Sequence, residues 1–205
     1  MPWYANEFSN NDVKDELDER FKVEGIPTLI MINAKTGETI NTETVGSVRV
    51  DDEGLDFPWA PKSCEILTPA TAGTIGPSPA FFIFCGTDAK AKALQEDIAG
   101  AVDVWRGKQE EGAVCHGEVC LPTGGKLEGT EDLLFFVCGD NSVVTRVKEL
   151  ANAQSGVVVA ALDLSVPVYA HADIPSVDKV TPLALRKFVQ AFLEGKVAKT
   201  AVSRA

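Results

Sequence analysis

The sequence lacks the features that mark most functional classes. No two of its five cysteines, at positions 64, 85, 115, 120 and 138, stand in Cys-x-x-Cys spacing, so the usual redox dithiol is missing from these 205 residues. Only two histidines occur, His116 and His171, and no Ser-His-Asp order can be assembled around them. Gly124-Gly125-Lys126 has none of the other parts of a phosphate-binding loop. No apolar run nears the roughly 18 residues of a membrane span, and Met1-Pro2-Trp3-Tyr4 is not followed by the apolar stretch of a signal peptide. Basic residues are outnumbered, 19 Lys and Arg against 30 Asp and Glu, for a net charge of -11. Nucleic-acid binding depends on clustered Lys and Arg neutralising phosphates, so no DNA or RNA partner is expected. The cysteines are odd in number and mostly set in apolar runs, unlike the disulfide framework of a small secreted domain. Cys85 and Cys138 read as small buried hydrophobes in a reducing compartment.

What is present is enough to build a core: 45 % of the residues are hydrophobic. Val13, Leu17 and Phe21 recur at four-residue steps, which predicts an amphipathic helix over 12–24, stopped by Gly25. An apolar strand over 28–33, the turn Ala34-Lys35-Thr36-Gly37 and a returning strand over 38–42 follow. Phe57-Pro58-Trp59-Ala60-Pro61-Lys62 breaks any regular element, and a domain boundary is expected there: one domain over 1–62, a second over 63–196, and a tail over 197–205.

In the second domain, 79–85 and 133–138 read as buried strands and 157–162 and 166–172 as two more. A helix over 88–105 carries Leu94, Ile98, Ala101, Val102 and Trp105 on one face, and a helix over 141–153 carries Val144, Val147 and Leu150. Thr181 caps a last helix that begins at Pro182, faces inward with Leu185, Phe188, Val189, Phe192 and Leu193, and stops at Gly195. The order strand, helix, strand, helix, strand, strand, helix packs as a central sheet with helices on both faces. A polar, Gly-rich insertion over 107–131 interrupts it, and so long a connection is usually functional or disordered.

Gly25-Ile26-Pro27-Thr28-Leu29-Ile30-Met31-Ile32 resembles the proline loop and following strand of a thioredoxin fold. With Met1-Pro2-Trp3-Tyr4-Ala5 before it and Asp52-Glu53-Gly54-Leu55-Asp56-Phe57-Pro58-Trp59 after it, the segment is similar to the nucleoredoxin and tryparedoxin branch of the thioredoxin superfamily. Leu133-Leu134-Phe135-Phe136-Val137-Cys138-Gly139-Asp140 and the closing helix extend the resemblance to most of the chain. It implies an α/β, thioredoxin-like fold class: a partial thioredoxin domain followed by a complete, disulfide-isomerase-type thioredoxin-like domain. It implies protein-disulfide reductase chemistry, with the catalytic Trp-Cys-x-x-Cys dithiol upstream of Met1, so that this chain holds no catalytic residue and is expected to be inactive alone. Ile26 and Pro27 would form the substrate wall, with Pro27 cis and the backbone of Ile26 offered to an extended polypeptide. A protein partner, no cofactor, no membrane, and a cytoplasmic location with the nucleus as a second compartment complete the expectation.

Cys115-His116-Gly117-Glu118-Val119-Cys120 holds the one close cysteine pair. A reversible disulfide and two free thiols are both open, and free thiols are expected, because no helix N-terminus is predicted there to activate a thiolate. Cys115, His116 and Cys120 fall a ligand short of a tetrahedral zinc site, so no metal is expected. Trp105 is expected in the core, Trp59 as a pin between the two domains, and Trp3 as a packing residue. In the second domain Gly86-Thr87-Asp88 occupies the place of a dithiol and Gly156 that of a cis-proline. The alternative function is therefore a redox-inactive protein-binding module with a Cys115/Cys120 switch. The strand over 28–33 would leave an open edge, to be covered by residues 63–196, by self-association, or by other polypeptide.

Overall fold

The computed structural model describes residues 5–7, 9–42, 44–51, 53–55, 57–76, 78–109, 113–116, 119–153 and 155–202. The chain divides into two units, Met1–Pro61 and Lys62–Ala205.

The first unit opens with α1, Asn11–Phe21, whose N-terminus is capped by the Asn10 side chain accepting from the Val13 amide at 3.4 Å. Lys14 and Asp18, one turn apart, pair at 2.7 Å. The helix stops at Lys22, three residues before Gly25. Lys22 turns left-handed (φ 53°), and its N–H and that of Val23 close on the Asp18 carbonyl. No residue of α1 is buried, and its apolar side chains Val13 and Leu17 are 37 % and 43 % exposed. Strands β1, Met31–Ile32, and β2, Thr39–Asn41, pair antiparallel around a turn in which Asn33 Oδ1 accepts from the Lys35 amide at 3.0 Å. Helix α2, Thr44–Val50, follows. The expected strand over 28–33 shrinks to two residues, because the Leu29 carbonyl is taken by the Thr44 hydroxyl at 2.5 Å. Thr44 is the one buried side chain among the described residues of this unit.

The second unit is built on a six-stranded sheet. Its strands are β3 (Glu65–Ile66), β4 (Ala80–Phe84), β7 (Leu134–Cys138), β8 (Val159–Asp163), β9 (Val168–His171) and β10 (Thr200–Ala201). A hairpin of β5 (Ala113–His116) and β6 (Val119–Pro122) stands apart from it. The sheet order is β10-β9-β8-β4-β7-β3, parallel on the β3/β7/β4 side and antiparallel from β4 through β10. This is the mixed α/β arrangement, a central sheet between helices, that the sequence pointed to. The short β3 and β10, two residues each, leave no periodicity to read, and β10 draws residues 200–201 of the expected tail onto the sheet edge.

Alternation along β4 and β7 sorts two cores. Phe81, Ile83, Phe135 and Val137 face helices α3 (Asp88–Trp105) and α5 (Pro182–Leu193), whose Ile98, Val102, Trp105, Leu185, Phe188 and Phe192 complete one cluster. Phe82, Phe84, Phe136 and Cys138 face Val144 and Val147 of α4, Ser142–Leu150, in the other. Neighbouring strands stack their rings, Phe81 on Phe135 at 5.3 Å and Phe82 on Phe136 at 5.4 Å. Thr87, Asn141 and Thr181 cap α3, α4 and α5 with their side chains.

The end of α3 ties down the long insertion. The buried Trp105 indole N–H donates to the Thr123 carbonyl at 2.8 Å, and the Trp105 carbonyl accepts from the Leu127 amide at 2.9 Å. Arg106 donates to the Thr130 and Leu133 carbonyls and to Ser63 Oγ. From α5, Arg186 donates to the carbonyls of Gly125 and Lys126. Its side chain lies where a Gly124 Cβ would be, 2.8 Å from Arg186 Cδ. Gly124-Gly125-Lys126 thus presents carbonyl oxygens to a guanidinium, the reverse of a phosphate cradle.

Three substitutions test this account of burial. Phe81→Ala, at a ring with no exposed surface, is expected to cost about 3–5 kcal/mol, read as a lowered urea midpoint by circular dichroism. Leu17→Ala on α1 should cost less than about 1 kcal/mol. Trp105→Phe takes the indole donor from Thr123 and is expected to cost about 1–3 kcal/mol, with faster amide exchange over residues 120–127.

Candidate functional site

The proline loop sits at the head of β1. The Ile26-Pro27 peptide bond is cis, and Thr28 Oγ1 donates to the Gly25 carbonyl at 2.6 Å, closing the loop across Pro27. The Ile26 side chain is 99 % exposed. Among the described residues, nothing engages the Ile26 N–H or C=O. A loop of this form presents one backbone donor, one acceptor and an apolar side chain to whatever lies against it, the set that an extended polypeptide uses in strand addition.

The corresponding places in the second unit are filled differently. Beyond β4, Cys85 is 4 % exposed, and its N–H is spent on the Cys138 carbonyl at 2.8 Å. Gly86, Thr87 and Asp88 then lead into α3, where Asp88 Oδ1 accepts from the Asp140 amide at 3.2 Å. The approach is close: a Cβ on Gly139 would lie 2.9 Å from Asp88 Cα. Ahead of β8, Gly156 is left-handed (φ 73°), and the described cis bonds are Ile26-Pro27 and Phe57-Pro58 alone. This end of the sheet therefore carries a side-chain-capped helix terminus and, among the described residues, no accessible thiol.

Cys138 of β7 and Cys64 and Cys85, beside β3 and β4, are free and buried. Burial raises the thiol pKa of Cys64 well above its ordinary value, with Glu65 adding to the rise, and does the same to Cys138. Burial also raises Cys85, against the opposing hydrogen bond at Cys138 and the charge of Lys90. All three remain protonated at neutral pH, and a thiol is not the nucleophile that a thiolate is.

Cys120 differs. It is exposed and in a disulfide, which corrects the expectation of free thiols there. The physical reason lies in the β5–β6 hairpin, whose backbone register sets Cys115 directly opposite Cys120. The alternation Val114, Cys115 and Cys120, Leu121 around Gly117-Glu118 was the available signal for this hairpin.

The remaining candidates fall into place by their contacts. His171 shares a hydrogen bond with the Ala151 carbonyl at 2.7 Å. No group of three His, Cys, Asp or Glu side chains able to hold a metal occurs among the described residues. Trp59 bonds inside the first unit: its indole donates to Asp51 Oδ2 at 2.8 Å, its carbonyl accepts from Asn41 at 2.6 Å, and Phe57 packs edge-on at 5.2 Å. Trp3 and the side chain of His116 lie outside the described residues. No helix among the described residues is long and apolar enough to cross a membrane.

No family model matches the chain. Human nucleoredoxin is 26 % identical over 204 residues, covering 96 % of this chain and 42 % of that protein. The Xenopus laevis nucleoredoxin is 27 % identical over 203 residues, covering 96 % and 44 %. Tryparedoxin of Trypanosoma brucei brucei is 48 % identical over 59 residues, 29 % of this chain and 41 % of that protein. Among solved structures, the bb fragment of ERp72 is 20 % identical with a TM-score of 0.38, over 90 % of this chain and 74 % of that one. The chain spans less than half the length of the nucleoredoxins it matches. The chain is thus similar along nearly all of its length to the C-terminal part of nucleoredoxins, and over a shorter stretch to tryparedoxin.

Proposed function

We propose that this chain is the C-terminal part of a nucleoredoxin-like protein-disulfide reductase. The first unit contributes the substrate wall, Ile26 and Pro27, and a preceding segment of the full protein contributes the dithiol. The second unit is a thioredoxin-like module that binds protein without redox chemistry at its sheet end. The observation that carries this reading is the open proline loop, with Ile26 99 % exposed in a unit where Thr44 is the one buried side chain among the described residues. Such a unit is a surface awaiting a cover, and half of a thioredoxin domain fits that need. Self-association through the same face is the competing cover. A reducing, cytoplasmic or nuclear, setting accords with the free, buried Cys64, Cys85 and Cys138.

In the proposed reaction a thiolate of the preceding dithiol attacks a substrate disulfide, and the mixed disulfide is resolved by the second thiol. Two electrons pass to the substrate, whose sulfurs leave as thiols, while the dithiol becomes a disulfide. The backbone of Ile26 holds the substrate strand in line beside the reacting sulfurs. A second reading, a redox-silent binding module throughout, draws on the thiol-free terminus at Gly86-Thr87-Asp88, where Asp88 accepts from the Asp140 amide.

Insulin reduction separates the two. With dithiothreitol as electron source, this chain alone should add nothing to the uncatalysed rate. The same chain joined to a preceding segment carrying Trp-Cys-x-x-Cys should turn over. In that longer protein Ile26→Asp is expected to raise KM about 10-fold, the equivalent of about 1.4 kcal/mol of substrate contact. Absence of turnover in the longer protein would leave the binding module as the function.

A further inference from the structure

We propose that Cys115 and Cys120 form a cross-strand disulfide that exchanges with dithiol reductants. The β5–β6 hairpin is then a redox site of the second unit, independent of the dithiol assigned above to a preceding segment.

The pairing comes from elimination and register. Cys120 is disulfide-bonded, Cys64, Cys85 and Cys138 are free, and the chain has five cysteines. In the hairpin Cys115 and Cys120 are Cα partners. Residues directly opposite in an antiparallel pair have Cα atoms about 4.5–5.5 Å apart, inside the roughly 4.4–6.8 Å that a disulfide spans.

The bond is placed for exchange more than for stability. It closes a loop with only four residues between the cysteines, and short loops take little entropy from the unfolded chain. Cys120 is exposed, and exposed disulfides are the labile ones. In a chain whose other thiols are free, a disulfide at the exposed Cys120 fits the transient or sensing class of intracellular disulfides.

The base of the hairpin is held without it. Val114 packs over Gly100 of α3, so closely that a Cβ there would lie 3.0 Å from Val114 Cγ2. Just past β6, Thr123 takes the Trp105 indole hydrogen bond. Breaking the disulfide therefore loosens the tip while the sheet and its two cores stand.

The exchange balances in two steps. A thiolate of the reductant attacks the Cys120 sulfur. The Cys115–Cys120 bond breaks, its electron pair leaves on the Cys115 sulfur, which takes a proton, and a mixed disulfide forms at Cys120. The second thiol of the reductant, once deprotonated, attacks its partner sulfur in that mixed disulfide and releases Cys120, which is protonated in turn. Two electrons and two protons have moved to the hairpin, and the dithiol has become a disulfide.

The test is differential alkylation of the full chain with N-ethylmaleimide and peptide mass mapping. Without reductant, Cys115 and Cys120 should take no label and should map as one linked peptide pair. After dithiothreitol under native conditions both should be labelled, while Cys64, Cys85 and Cys138 wait for denaturant. Reduction should speed amide exchange over 113–122 at least 10-fold and leave β4 and β7 unchanged, and Cys120→Ser should make Cys115 label without reductant. Label on both cysteines before reduction, a map linking Cys120 elsewhere, or a bond that resists dithiothreitol until the protein unfolds would each overturn the proposal. The mapping uses the unaltered chain, so its result does not depend on the variant folding.

Discussion

The hydrogen bond from the buried Trp105 indole to the Thr123 carbonyl is the constraint on which the second unit turns. An indole N–H with no exposed surface must find an acceptor or forfeit its hydration. Here the acceptor belongs to a 25-residue insertion that has little core of its own. The same turn of helix supplies a carbonyl to Leu127 and a guanidinium to Thr130 and Leu133. One helix end thus does for the insertion what a sheet does for the rest of the unit: it collects backbone groups that would otherwise be buried without partners. Burial depresses the Arg106 pKa, and Asp103, Glu131 and Asp132 push it back up, so the guanidinium keeps its charge where its donors are needed.

The two units show opposite ways of meeting the cost of chain ordering. In the second, two clusters of side chains bury both faces of β4 and nearly all of β7, the main favourable term in folding. The first relies on local hydrogen bonds at Asn10, Asn33, Thr44 and Asp51, each worth little net against water. Its polar groups are well spent, yet Leu55 stays 81 % and Phe57 61 % exposed.

Legibility in the sequence followed burial. Phe81 to Phe84 and Phe135 to Cys138 are apolar on both faces, so the central strands stood out, and Thr181 announced its helix by side-chain capping. The two-residue strands β3 and β10 belong to the sheet only through neighbours far away in sequence, Phe136 and Tyr169 among them. Helix α1 ended early because Lys22 accepted a left-handed turn that its side chain does not advertise. The role of Gly124 depends on Arg186, 62 positions later, which no local pattern could signal. At the candidate sites the proline loop was visible through resemblance. The oxidised state of Cys120 was not, since spacing alone does not say which residues face one another across a turn.

The return of residues 200–202 to the sheet has a consequence for how the molecule meets other copies of itself. Thr200 and Ala201 occupy the outer side of β9, the Val202 amide closes on the Pro167 carbonyl at 2.9 Å, and Lys199 lies 4.0 Å over the Phe192 ring. At the opposite border β3 is only two residues long. A sheet with one border capped by its own chain and the other cut short offers little template for a foreign strand. Resistance to edge-to-edge stacking is thus written into the last stretch of backbone as much as into the negative charge.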